Sequence, residues 1–257
     1  MTGFFKNLQI FLDSRKIFKN WYSYPKVYYN LVKDEFIIFK TKNDLKIKIR
    51  TKSTDLMALT NVWMMKEYEI EKFSISQDDI IIDIGAHIGL FSLLVSKLCS
   101  DGKIFSFEPI QNNFNLLIDN LKSNKLQNVF PFNLAVSENS SEMKLFLNND
   151  DSAHSVFGKN NNFVTVKSIP LKRIFDENNI NSCKILKLDC EGAEYEIINS
   201  LPDKYFDRIQ NIIIEYHLAD SKPELGKNLI LKIKNAGYDI TTRQHHNDMG
   251  FLIAKKK

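Results

Sequence analysis

The most constraining feature of this chain is a segment in which an apolar run, a glycine-bearing turn and an amphipathic stretch follow one another directly. Ile80-Ile81-Ile82 is apolar without alternation, as expected of a strand buried on both faces. Asp83-Ile84-Gly85-Ala86-His87-Ile88-Gly89 comes next. Leu90, Phe91, Leu94, Val95 and Leu98 then recur at helical spacing. A strand covered on both sides needs a helix layer on each face of its sheet, so this segment points to an α/β architecture.

The alternation continues downstream. Strands are expected at 103–107, 129–132, 184–188 and 212–214, with helices over 114–121, 193–200 and 229–236. Such βαβ order implies a mostly parallel sheet. A closing pair of strands, 238–242 and 251–254, has only a short polar connection, which suits antiparallel neighbours. Residues 148–162 are rich in Asn, Asp and Ser and include His154. They read as a long loop of the lid or binding type. The chain shows no internal repeat.

Upstream, residues 1–33 read as one or two helices interrupted by Pro25. A hairpin follows. Leu45, Ile47 and Ile49 share one face of its second strand, and Lys46, Lys48 and Arg50 share the other. Residues 54–73 have a helical pattern. The expected organisation is an N-terminal helical and hairpin extension, 1–75, and an α/β domain, 76–257. No run approaches the roughly 18 apolar residues that span a bilayer. Lys6, Asp13, Arg15, Lys16 and Lys19 break the apolar N-terminus, and no small-residue cleavage site follows it, so it does not read as a signal peptide. Packing on the domain is the favoured role for this segment, with peripheral membrane contact as the alternative. Net charge is +4, without a basic stripe, which argues against a nucleic-acid partner. Cys99, Cys183 and Cys190 show no CxxC or metal-ligand spacing. They suggest reduced thiols and a cytoplasmic location.

Ligands of open α/β sheets bind beyond the carboxyl ends of the strands. There, Gly85 and Gly89 allow a tight turn and close approach of backbone. Three residues separate the two glycines, so the motif is not the G-x-G-x-x-G pyrophosphate cradle. The leading Asp83 would repel phosphate and suits a ligand carrying an amino group and a sulfonium. Glu108 ends the second strand in Phe107-Glu108-Pro109. A carboxylate there accepts bonds from both ribose hydroxyls, as in dinucleotide folds.

Three segments together resemble the FkbM family of S-adenosylmethionine-dependent methyltransferases. They are the stretch from Ile81 through Gly89 to Ser92, Phe107-Glu108-Pro109, and Ile185-Leu186-Lys187-Leu188-Asp189-Cys190-Glu191-Gly192-Ala193-Glu194. The similarity spans about residues 78–220. It implies a class I, Rossmann-like methyltransferase fold with a seven-stranded, mostly parallel sheet and helices on both faces. It also implies methyl transfer to a hydroxyl, commonly of a sugar or small natural product. The implied cofactor contacts are Asp83, Ile84, Gly85, Ala86, Gly89, Glu108 and Pro109. Asn133 and Ala135 would lie near the adenine, and Asp189 beside the methionine part.

At the acceptor end, Asp189, Glu191 and Glu194 crowd one strand end, where burial of carboxylates is costly. Asp189 as a helix cap, with Glu191 and Glu194 in the first turn, is the structural alternative. Strand alternation puts Glu215 and His217 on one face. His217 is the expected general base, oriented by Glu215 or Asp189, with Glu191 facing the acceptor. Asp189, Glu191, Glu215 and His217 also form a hard donor set for Mg²⁺, although the metal-free reading is preferred. The competing functions are a nucleic-acid methyltransferase and a cofactor-binding protein without transfer activity. The fourth strand does not end in an N/D-P-P-Y/F type sequence, which argues against the first.

Overall fold

A computed structural model describes residues 3–146, 162–217, 222–246 and 248–257. Nearly all of the expected loop at 148–162, including His154, lies outside these residues.

The chain opens with α1 (Gly3–Ile17) and α2 (Ser23–Tyr28), then an antiparallel hairpin of β1 (Phe36–Lys40) and β2 (Lys46–Arg50). Pro25 sits in the first turn of α2 instead of interrupting a helix, because first-turn N–H groups have no helical partner to lose. The helix expected over 54–73 is broken. A short α3 (Asp55–Leu59) passes into a π-helical segment, Thr60–Met64, and a 3₁₀ turn follows at Ile70–Lys72. Lys66 and Glu69 adopt positive φ, 52° and 48°, which no right-handed helix accommodates.

The α/β region runs β3 (Ile80–Ile84), α4 (Leu90–Ser96), β4 (Lys103–Phe107), α5 (Gln111–Ser123) and β5 (Val129–Phe132). A short sheet comes next, built from β6 (Ala135–Ser137), β7 (Glu142–Phe146) and β8 (Phe163–Pro170). Then come α6 (Leu171–Glu177), β9 (Cys183–Leu188), α7 (Glu194–Ser200), α8 (Asp203–Phe206), β10 (Ile209–His217), α9 (Pro223–Asn235), β11 (Tyr238–His246) and β12 (Met249–Lys256). Seven strands form the main sheet in the order β11-β12-β10-β9-β3-β4-β5. Pairings among β5, β4, β3, β9 and β10 are parallel, and β12 is antiparallel to both its neighbours. This is the expected seven-stranded α/β sheet with its closing strand reversed.

Alternation along β3 divides the core. Ile81 joins a cluster on one face, and Ile82 and Ile84 join another on the opposite face. The N-terminal residues belong to the first face, where Phe39, Ile47 and Leu59 are buried with Leu93 and Leu117. Asn120 on α5 and Asn124 just past its end fasten the hairpin. Asn120 accepts from the Lys48 N–H at 2.7 Å and donates to its carbonyl at 3.1 Å. Asn124 does the same for Lys46, at 2.7 and 2.6 Å. Their amides thus supply partners for backbone groups that β2 would otherwise leave open at its edge. Asn120 also donates to the Ile88 carbonyl at 2.9 Å, which ties the hairpin to the glycine turn after β3.

Candidate active site

The sheet order sets out the site. The carboxyl ends of β4 and β5 lie on one side of β3, and those of β9 and β10 on the other. A cavity of about 1120 Å³, including its open mouth, runs along this edge. Gly85, Ala86, Glu108, Pro109, Leu134 and Ala135 line it on the β4 side, and Asp189, Glu191 and Glu215 on the β9 side.

Gly85 has φ +75°, and a Cβ there would lie 1.7 Å from the Asp189 carbonyl oxygen. Gly89 has φ +87° and would meet Leu117 at 2.5 Å. Gly85 is therefore required by the backbone packed against it, and Gly89 by its left-handed conformation. The Gly85 and Ala86 N–H groups donate to the Phe107 carbonyl at 3.0 and 2.9 Å.

Glu108 is almost wholly buried at the cavity wall. Its two oxygens accept from the backbone N–H of His87 (2.8 Å) and of Ile110 (2.8 Å). Burial pushes its pKa up to about 7, against these two hydrogen bonds. Asn133 lies behind this wall, donating to the Glu108 and Pro109 carbonyls at 2.9 and 3.0 Å. It does not line the cavity, whereas Leu134 and Ala135 do.

Asp83 also lies behind the lining. It is fully buried, accepts from Ser92 Oγ at 2.6 Å, and pairs with Lys187 Nζ at 3.1 Å. Its carboxylate therefore serves Lys187 instead of facing a ligand, which corrects the expected direct contact. Lys187 was absent from the expected site residues, yet it is central. Its ammonium donates to the Gly85 carbonyl at 2.8 Å and stands 3.7 Å from Asp189. Burial alone would lower its pKa, but Asp83 and Asp189 reverse this and hold it above its ordinary value. A lysine set between Leu186 and Leu188 at the end of a strand is the available signal, since buried charge needs a partner.

A second residue outside the expected set is Glu67, which lines the cavity from the irregular segment after the π-helical turn. Arg243 donates to its backbone carbonyl at 2.9 Å. The next residue, Tyr68, donates its hydroxyl to Asp189 at 2.9 Å, so this segment meets the β9 side. Burial, with the nearby Asp189 charge, pushes Glu67 up to about 8. Burial, Asp189 and Glu67 push Glu215 up to about 9.

His217 corrects its expected role as base. Its Nδ1 is 2.9 Å from Glu194, a fully buried carboxylate, and its Nε2 is 3.6 Å from Glu191. Burial pulls its pKa down, but the Glu194 hydrogen bond and the charges of Glu194, Glu191 and Asp189 outweigh this and hold it at about 10. That favours the imidazolium form at neutral pH, which sets His217 against the role of base. It also lies outside the cavity lining. Glu194 further accepts from the N–H groups of Cys190 (3.2 Å) and Gly192 (2.8 Å), so it organises the turn after β9. Among the described residues, Asp189, Glu215 and His217 bring donor atoms within 4.8 Å of one another, the one grouping there that could hold a metal.

This cavity suits a ligand with an aromatic base, a vicinal diol and positive charge: apolar wall beside Leu134 and Ala135, a buried acceptor at Glu108, and carboxylates beyond. The profile of the methyltransferase FkbM domain matches residues 83–240. The chain belongs to the FkbM methyltransferase family. Its relatives include Methyltransferase 1 of Beauveria bassiana, 23% identical over 64% of this chain and 74% of the relative. Hexuronic acid methyltransferase AglP of Haloferax volcanii is 20% identical over 79% of this chain and 84% of its own length. Among solved structures, methyltransferase FkbM from Methylobacillus flagellatus is 18% identical at a TM-score of 0.49, covering 77% of this chain and 53% of that one. The FkbM chain is an S-adenosylmethionine-dependent methyltransferase. No helix among the described residues is long and apolar enough to cross a membrane.

Proposed function

We propose that the enzyme methylates a hydroxyl group of a sugar or small natural product, in a reducing cytoplasmic setting, and that Glu215 accepts the hydroxyl proton. The observation that carries this reading is the set of carboxylates Glu67, Asp189 and Glu215 on the β9 side of the cavity. Lys187 is the one Lys or Arg side chain in that lining among the described residues, and Asp83 and Asp189 already engage it. With Lys187 engaged, this lining offers no Lys or Arg among the described residues to pair with phosphate or carboxylate, and it suits a neutral acceptor. A nucleic-acid acceptor is disfavoured on the same ground.

S-adenosylmethionine, when bound, supplies an electrophilic methyl group on a sulfonium. Glu108 would accept from the ribose hydroxyls, and Asp189 would face the amino group. An alcohol oxygen is a poor nucleophile until its proton leaves. A Glu215 carboxylate with a raised pKa is a stronger base than an ordinary one and matches that task better. Tyr68 holds Asp189 in place through its hydroxyl. His217, fixed as a cation, anchors Glu194 and Glu191, so it positions the turn and leaves proton transfer to the acids. A relative named for methylating hexuronic acid supports the sugar class of acceptor, while its carboxylate sets that acceptor apart from the neutral one proposed here.

The test is to incubate the enzyme with methyl-labelled S-adenosylmethionine and a panel of neutral sugars, uronic acids and RNA. Label on a neutral acceptor as an alkali-stable ether is expected. Label as an alkali-labile ester, or on RNA alone, would contradict the hydroxyl reading.

A further inference from the structure

Charge and exposed apolar surface are both concentrated at the N-terminus. Residues 1–42 contain eight Lys and Arg against three Asp and Glu, 8 − 3 = +5. The whole chain is +4, so the remaining residues carry 27 basic against 28 acidic groups, or −1. Of the fourteen large hydrophobic side chains exposed among the described residues, eight fall between Leu12 and Ile38. Leu12–Ile38 itself carries five Lys and Arg against three Asp and Glu, 5 − 3 = +2, and more than half of the exposed large hydrophobic side chains.

Ring contacts gather these side chains into two groups on α1, α2 and the turn between them. The Phe11 ring contacts Tyr24, Tyr28 and Tyr29 at centroid distances of 5.9, 5.5 and 6.0 Å, which joins α1 to α2. The Arg15 guanidinium lies 5.1 Å over the Trp21 ring, and the Lys26 ammonium 5.5 Å over Tyr22. Asn20 donates to the Ile38 carbonyl at 2.8 Å, which brings the outer face of β1 alongside. Trp21, Tyr22, Tyr28, Tyr29, Leu12 and Leu31 are exposed here, and Arg15, Lys16, Lys26 and Lys33 are exposed among them.

We infer that this N-terminal region docks the enzyme on an anionic lipid bilayer surface. Trp and Tyr are suited to the headgroup level, with an apolar ring and one polar tip. Exposed Lys and Arg interleaved with them add attraction to anionic lipid, roughly 1 kcal/mol each near the surface, or about fivefold in affinity. RNA also attracts basic surfaces, but it rewards open ring faces on which bases stack. Here Arg15 and Lys26 already cover the faces of Trp21 and Tyr22, and Tyr28 and Tyr29 meet edge to face at 5.1 Å. Leu12 and Leu31 have no role toward a polyanion and a direct one toward acyl chains.

The test is co-sedimentation of the full chain with phosphatidylcholine vesicles, with and without phosphatidylglycerol. Binding is expected with phosphatidylglycerol and should weaken as salt rises. The doublet Lys26→Glu/Lys33→Glu should weaken it on the order of 25-fold or more, and Trp21→Ala/Tyr22→Ala should abolish the bound fraction at low lipid. Both doublets should keep wild-type S-adenosylmethionine affinity, which shows that they fold. Equal sedimentation with and without phosphatidylglycerol would overturn the assignment, as would unchanged binding by the doublets. So would binding to RNA but not to vesicles, or a dimer that the Trp21 doublet dissociates.

Discussion

Two buried imidazoles flank the sheet edge and end in opposite charge states. His87, in the turn after β3, is driven by burial down to about 4. His217, at the end of β10, is held at about 10. Burial opposes charge at both, so the neighbours decide. His87 has a carboxylate 3.5 Å away at Asp55, but Arg50 binds that carboxylate through two nitrogens, at 2.9 and 2.7 Å, and approaches His87 itself at 3.3 Å. His217 has Glu194 and Glu191 on its two nitrogens. The β4 side is thus compensated, and the β9 side keeps an excess of acid. A histidine beside carboxylates is as readily a fixed cation as a base, and the second carboxylate tips the balance.

The contrast is most exposed to substitution at His217. His217→Ala leaves Glu194 buried without its cation and should destabilise the fold by about 3–5 kcal/mol in denaturant unfolding. His87→Asn removes a neutral group from a left-handed position that Asn tolerates, and should cost about 1–2 kcal/mol. Equal losses would erase the distinction between the two sites. Glu215→Gln should lower kcat by about 10²–10⁴-fold while leaving the donor Kd within a few-fold. Full turnover by this variant would remove Glu215 as the proton acceptor.

Smaller effects follow from pH. The folded pKa of His87 lies below its ordinary 6.5. Its contribution to stability is complete above 6.5 and is lost as pH falls toward 4. His217 lies above 6.5, so its contribution is complete below that value and is lost as pH rises through 10. Denaturant midpoints of wild type and the two variants across both windows report each term separately. Turnover should climb as pH rises through about 8–9, where Glu67 and Glu215 release their protons. A profile flat across that range would contradict a carboxylate base.

The sheet and its reversed closing strand were legible because strands buried on both faces leave uninterrupted apolar runs, as at Ile80-Ile81-Ile82. The sheet of β6, β7 and β8 was not, because its strands are short or only half covered and leave no uninterrupted apolar run. The Asp83 turn and Glu108 were visible from their places after β3 and β4. The role of Asp83 was not, because the contact that defines it, Lys187, lies across on β9. Glu67 was hidden by a helical pattern over 54–73 that left-handed backbone at Lys66 and Glu69 interrupts, and no residue type there announces that geometry. His217 is visible as a site residue, but its pairing with Glu194 is not, because the reach of Glu194 depends on the turn it organises.

The most direct measurement is the ¹⁵N chemical shift of the two imidazoles, by NMR at pH 7.5, with His217→Ala and His87→Asn for assignment. His217 should show two protonated nitrogens and His87 the pattern of a neutral ring. A His217 that is neutral at this pH, or titrates near 6.5, would contradict its role as a fixed cation and return it as the candidate base.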